Sequence, residues 1–217
     1  MKCHRPSCPV TVESPETERF LALKLFCSDE CKRDFHAPKD REDKIIAARA
    51  RWEELTPAVF KKPDDGRSPV ATAIVADALK VAGDKDLLYI VGPCRSGKSR
   101  SAYHALKRFL MEGASAEVGQ ISDMSLARYD EYADIADRLK HCGVLLLDDM
   151  DKGVYTERFS QLIFSILDWR ITHSLPTLVT ANVSIRILED YISRNAPQFA
   201  KPISSRIAEA SKVVEVK

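Results

Sequence analysis

The chain has 217 residues, 45% of them hydrophobic and 30% charged, with a formal net charge of +1. That length admits one large domain, or a medium domain with a small attachment, and supplies enough apolar residues for a core. The near-neutral balance excludes a global electrostatic pull toward nucleic acid or membrane, so any such binding has to come from a local patch.

In chain order, the N-terminal stretch Met1-Lys2-Cys3-His4-Arg5-Pro6 lacks the apolar core of a signal peptide. No apolar run approaches the roughly 20 residues of a membrane span. A soluble, cytoplasmic protein with no membrane partner is expected. In a reducing compartment, six cysteines point to metal binding rather than to disulfides. Cys3 and Cys8 flank a proline-containing knuckle, and Cys27 and Cys31 follow in a second cluster. Four thiolates can close a tetrahedral zinc site and hold together a segment too small for its own core. His4 and His36 are alternative ligands. Ser28 or Asp29 can cap a helix that carries Cys31 and runs through Phe35. The cluster Phe26-Cys27-Ser28-Asp29-Glu30-Cys31 resembles small bacterial zinc ribbons, over about a dozen residues. A zinc module is expected over residues 1–37.

Residues 38–67 read as a helical linker. From Pro38 to Leu55 the chain is rich in charge and alanine, with Ile45, Ile46, Trp52 and Leu55 at helical spacing. Pro57, Pro63 and Asp64-Asp65-Gly66 place the domain boundary between Thr56 and Ser68. A helix is predicted from Pro69 to Ala82, stopped by Gly83.

Asp86–Val91 reads as a buried strand and Ser99–Met111 as a helix. Between them lies Gly92-Pro93-Cys94-Arg95-Ser96-Gly97-Lys98-Ser99, which meets every fixed position of G-x-x-x-x-G-K-[ST]. Glycines let the backbone curl and aim its N–H groups at a phosphate chain, and the following helix offers its positive end to the same anion. Lys98 can reach the outer phosphates of ATP, and the Ser99 hydroxyl can ligate Mg²⁺. A second strand is predicted at Ala116–Ile121, then one long helix capped by Ser122 and running to about Lys140. Gly143–Met150 holds four consecutive apolar residues, the pattern of a strand buried on both faces. Asp148 and Asp149 emerge at its carboxyl end, where open α/β sheets bind ligands. Asp148 is expected in the Mg²⁺ shell, and Asp149 is expected to orient or deprotonate the attacking water. An amphipathic helix at Thr156–His173 ends in Asp168-Trp169-Arg170. A strand at Pro176–Ala181 delivers Asn182, able to hold the lytic water. A short helix at Ile203–Ile207 and a strand at Lys212–Val216 complete the reading. Cys94 and Cys142 lie outside the zinc cluster and read as structural.

Over about residues 68–217, five motifs in this order resemble an AAA+ ATPase of the DnaC/IstB helicase-loader type, related to DnaA. They are GPCRSGKS at 92–99, VLLLDDM at 144–150, Asp168-x-Arg170, PTLVTAN at 176–182 and SSRI at 204–207. The resemblance implies an α/β P-loop core over 68–217 with a five-stranded parallel sheet in the order 5-1-4-3-2 and no C-terminal lid. It implies that Lys98, Ser99, Asp148 and Asp149 are the Walker residues and that Asn182 is the sensor 1 residue. Arg206 would be an arginine finger reaching the nucleotide of a neighbouring subunit, with Arg170 a rival for an interface role. It further implies ATP, Mg²⁺ and self-assembly bridged by ATP. Two features depart from the pattern: Asp149 stands where many such ATPases carry Glu, which points to slow hydrolysis, and the N-terminal module does not match that of DnaC; its expected role is to grip the replicative helicase. Single-stranded DNA would be contacted by basic residues such as Lys107, Arg108 and Arg128. Nothing in the core separates this reading from an IstB-like transposition ATPase; a small P-loop kinase is a second alternative, against which the Asp148-Asp149 pair, Asn182 and Arg206 argue. A zinc-finger adaptor with a purely structural nucleotide site is a further one.

Overall fold

Five strands of five residues each carry the apolar runs of the sequence. The computed structural model describes residues 29–61, 71–84 and 87–216. The strands are β1 (Leu87–Val91), β2 (Ala116–Gln120), β3 (Val144–Asp148), β4 (Thr177–Ala181) and β5 (Ser211–Glu215). They form one parallel sheet in the order β2-β3-β4-β1-β5, the expected 5-1-4-3-2 read from its other edge.

Alternation along each strand divides the core in two. Leu87, Tyr89, Leu145 and Leu147 enter one apolar layer, and Leu88, Ile90, Val144 and Leu146 the other. Strands buried on both faces therefore read as unbroken apolar runs, and each fully buried Leu or Ile stabilises by roughly 1.5–3 kcal/mol. The helices are α1 (Asp29–Leu55), α2 (Ala58–Lys61), α3 (Thr72–Asp84), α4 (Lys98–Met111), α5 (Ile121–Leu126), α6 (Tyr132–His141), α7 (Glu157–Thr172), α8 (Ile185–Ser193) and α9 (Pro197–Ala210). None of them is long and apolar enough to cross a membrane.

The chain divides into two compact units, residues 1–47 and 48–217. In the first, the described part is the opening of α1, which runs through Pro38 rather than starting there. The side chains of the predicted zinc ligands Cys3, Cys8, Cys27 and Cys31, and of His4 and His36, lie outside the described residues. In the second unit, Ala48 and Trp52 are buried. Trp52 Nε1 donates to the Tyr103 carbonyl at 3.0 Å, and Arg51 pairs with Glu117 on β2. The predicted long helix 122–140 is broken instead. Ala127 and Arg128 are extended, a short 3-10 turn follows at Tyr129–Glu131, and the Arg128 N–H donates to Glu131 Oε2 at 2.8 Å. Two further differences lie near the C-terminus: α8 was not anticipated, and α9 begins at Pro197, well before the short helix expected at Ile203.

Register sets the site. Val91 pairs with both Ala181 and Glu215, and Gln120 pairs with Asp148. The residues just beyond these tips, Gly92, Asn182 and Asp149, therefore gather at one end of the sheet.

Candidate nucleotide site

The loop after β1 turns back on itself through two left-handed residues, Arg95 (φ 64°) and Gly97 (φ 86°), before α4 begins at Lys98. Gly92 is required for a different reason. A Cβ there would lie 2.3 Å from the Val216 carbonyl oxygen, because Val216 N–H donates to the Val91 carbonyl at 2.7 Å. The first glycine of the motif thus admits the last strand, while Gly97 makes the turn.

Lys98 is 5% exposed. Its Nζ donates to the Pro93 carbonyl at 2.6 Å and to Asn182 Oδ1 at 3.1 Å. Burial lowers its pKa, against the opposing pull of Cys94 and the nearby aspartates. The Ser96 hydroxyl is buried with no partner among the described residues. A loop that presents the start of a helix, a buried ammonium and an unsatisfied hydroxyl fits an anion such as a phosphate chain.

Asp148 is 3% exposed and is held by neutral donors. The Thr180 hydroxyl donates to its Oδ1 at 2.6 Å and accepts the Asp149 N–H at 2.9 Å; Gln120 Nε2 lies 3.4 Å from Oδ2. Asp149, rather than Asp148, lines the cleft. It sits at φ 57°, ψ 54°, a left-handed conformation uncommon for a side-chain-bearing residue. Its pKa is raised, first by burial and then by the neighbouring Asp148 and Asp151. Asp151 goes the other way: burial pushes it up, but hydrogen bonds from Asn182 and Lys152 outweigh this and leave it below its ordinary value.

These groups border a cleft of about 680 Å³ lined by Cys94, Lys98, Ser99, Asp149, Lys152 and Asn182. Its apolar side is α2, part of the segment expected as linker. Val59 and Phe60 line the cleft, Phe60 stacks on Tyr103 with centroids 5.3 Å apart, and Arg100 donates to the Val59 carbonyl at 3.1 Å. Such a wall suits a planar base beside a polar phosphate cradle. No group of three or more His, Cys, Asp or Glu side chains able to hold a metal occurs among the described residues. Mg²⁺ needs none here, since it is commonly held by one or two protein oxygens together with substrate phosphates and water. Of the two predicted ligands, Ser99 lines the cleft, whereas Asp148 does not and has its Oδ1 engaged by the Thr180 hydroxyl.

The structure brings together Gly92, Pro93, Cys94, Arg95, Ser96, Gly97, Lys98, Ser99, Asp148, Asp149 and Asn182. Arg206 is not among the cleft's lining residues. It lies on α9, 44% exposed, with Nη2 2.7 Å from Asp168 Oδ1 on α7. Arg170 is fully buried, so it has no surface to offer an interface. Lys107 sits over the Trp52 ring, Arg128 pairs with Asp130, and Arg108 is exposed on α4. Sequence reasoning missed Asp151, Thr180 and Gln120, which hold the predicted residues in place. Their one signal was position: each stands within three residues of a predicted site residue in sequence or across the register.

No family model and no curated protein matches this sequence. Solved structures do resemble it. A crystal structure of DnaI matches with a TM-score of 0.61 at 20% identity, over 77% of this chain and 97% of that one. The crystal structure of the DnaC helicase loader gives 0.56 at 19%, over 77% and 99%. The replication initiator DnaA bound to AMPPCP and single-stranded DNA gives 0.55 at 16%, over 75% of this chain and 51% of that one. At such identities the likeness speaks for the fold alone: an α/β core built on a five-stranded parallel sheet with a phosphate-loop turn after β1.

Proposed function

We propose that the chain is an ATP-dependent replicative helicase loader that binds and hydrolyses ATP between subunits. The observation that carries this reading is the convergence of the β1 loop, the β3 tip and Asn182 after β4 on one cleft with an apolar wall. In it, Lys98 and the loop N–H groups take the phosphates and Asp149 accepts a proton from the attacking water; Ser99 in the cleft and Asp148 at the adjoining β3 tip would hold Mg²⁺. Mg²⁺ supplies charge neutralisation on the phosphate oxygens. Arg206 acts on a neighbouring subunit's nucleotide, so ATP drives assembly; such arginines are worth about 10³–10⁵ in rate in other nucleotide hydrolases. The N-terminal module, with zinc on Cys3, Cys8, Cys27 and Cys31, grips the helicase, and basic side chains of the assembly contact single-stranded DNA.

Among the similar structures are the DnaC helicase loader and the replication initiator DnaA bound to AMPPCP and single-stranded DNA. That favours a loader over an IstB-like transposition ATPase or a small kinase. The test is an affinity pull-down from host extract with the full chain, with and without ATP. Recovery of a replicative helicase is expected, and recovery of a transposase would move the reading to transposition. Metal analysis checks the zinc module: one equivalent per chain is expected, and less than half would remove the four-thiolate site.

A further inference from the structure

Asp151 lies just past the tip of β3, and its side chain is 3% exposed. Its carboxylate takes both nitrogen groups of one residue. The Asn182 backbone N–H donates to Oδ1 at 2.8 Å, and Asn182 Nδ2 lies 3.1 and 3.0 Å from Oδ1 and Oδ2. On the opposite side, Asn182 Oδ1 accepts from Lys98 Nζ at 3.1 Å and faces Cys94 Sγ at 3.6 Å. The two ends of an amide are told apart by their partners. Here the assignment is forced, because a carboxylate only accepts and an ammonium only donates. Turning the amide over would set oxygen against carboxylate and NH₂ against ammonium. Lys152 Nζ, 3.2 Å from Asp151 Oδ2, holds the carboxylate from its other side.

We propose that Asp151 is a positioning residue that fixes Asn182 with its amide oxygen toward the cleft, so that Asn182 serves the attacking water as a hydrogen-bond acceptor. An acceptor at Asn182 and a second at Asp149 engage both O–H groups of one water and leave a lone pair free to point at the terminal phosphate. In the step that follows, the water oxygen bonds to the terminal phosphorus. The bridging P–O bond breaks, with its electron pair leaving on the diphosphate. One water proton passes to Asp149, and the other stays on the new phosphate. With its amide so fixed, Asn182 does not donate to a phosphate oxygen. The catalytic half of this inference rests on the hydrolytic reading above; the orientation of Asn182 does not.

The experiment has two readouts on the full-length protein. In the nucleotide-free state, the Asn182 side-chain amide protons are followed by ¹⁵N–¹H NMR, assigned by their loss in Asn182→Asp. They are expected to be shifted from the free-amide position and slow to exchange, and to lose both properties in Asp151→Ala. Resonances indifferent to Asp151 would overturn the assigned orientation. The second readout is turnover against nucleotide affinity. Asp151→Asn is expected to lower kcat about 10- to 100-fold, the loss of one charge-assisted hydrogen bond converted at tenfold per 1.36 kcal/mol, with affinity for labelled ATP within about threefold of wild type. The exchanged pair Asp151→Asn/Asn182→Asp puts a donor at 151 and an oxygen toward the cleft again, so it is expected to recover turnover above Asp151→Asn alone. A double variant no faster than the single, or a loss confined to affinity, would overturn the positioning role. Wild-type turnover equal to Lys98→Ala would remove the hydrolytic reading and with it the catalytic half, while the NMR result would still decide the orientation.

Discussion

The two ends of the sheet bury polar groups to opposite effect. At the amino end, Arg170 is 0% exposed and fully engaged. Its Nε donates to Thr177 Oγ1 at 2.9 Å, Nη1 to the carbonyls of Leu139 and Cys142 at 3.0 and 2.8 Å, and Nη2 to the Pro176 carbonyl at 2.7 Å. This guanidinium ties the end of α6 to the starts of β3 and β4. At the carboxyl end the polar groups are incompletely matched: a hydroxyl at Ser96 without a partner among the described residues, a left-handed Asp149, and a carboxyl pushed up by burial and like charge. The amino end also has a left-handed Ser174 and, among the described residues, an unpartnered Ser211 hydroxyl. At the carboxyl end such features stand beside one cleft together with perturbed ionisable groups, which is where binding and chemistry are expected.

Three substitutions sharpen that contrast, the largest effect first. Asp149→Asn removes the proton acceptor and is expected to cut ATP turnover by about 10²–10⁴, the range for a general base, in a steady-state assay. The same change is expected to raise the melting temperature, since Asn is well tolerated in the left-handed region and carries no charge. The pH dependence has a definite sign. An acid whose pKa is raised on folding destabilises the folded state once ionised, so stability falls as pH rises through the folded pKa. The gain in melting temperature from Asp149→Asn should therefore be larger at neutral pH than near the ordinary carboxylate pKa of about 4, read by calorimetry across that range.

Arg170→Met keeps much of the apolar stem but orphans the carbonyls of Leu139 and Cys142 and takes one of two donors from that of Pro176, which also accepts the Leu145 N–H at 3.1 Å. At about 1–3 kcal/mol for each buried unsatisfied group, it is expected to cost on the order of 3–5 kcal/mol in urea unfolding, with ATP affinity of the folded fraction unchanged. Arg206→Ala breaks a half-exposed ion pair and is expected to cost less than about 1 kcal/mol of stability. Its expected signature is kinetic instead: turnover that no longer rises with protein concentration. Equal concentration dependence in both proteins would remove Arg206 from any action between subunits.

Much of this arrangement was legible in the residues, and what was missed has a physical pattern. The phosphate loop, the doubly buried β3 and Asn182 were readable because glycine demand, unbroken hydrophobicity and strand ends are local features. Asp151 and Thr180 were not, since each acts on a partner 31 or 32 residues away across the sheet. The break at Ala127–Arg128 escaped because no proline or glycine marks it and its cap comes from Glu131, behind an arginine rather than a serine or threonine. α9 extends past the short helix expected at Ile203–Ile207: Pro202 lies inside it without ending it, and the signal that starts it is Pro197 in its first turn. α8 was readable from Ser184, whose hydroxyl accepts the Ile187 N–H at 3.5 Å, followed by apolar residues at helical spacing.

The central claim is that the carboxyl-end cleft hydrolyses ATP. The measurement that tests it most directly is phosphate release from ATP and Mg²⁺ by the full-length protein, run beside Lys98→Ala at equal concentration. Release by the wild type well above the variant is the predicted result; equal release from the two would contradict it.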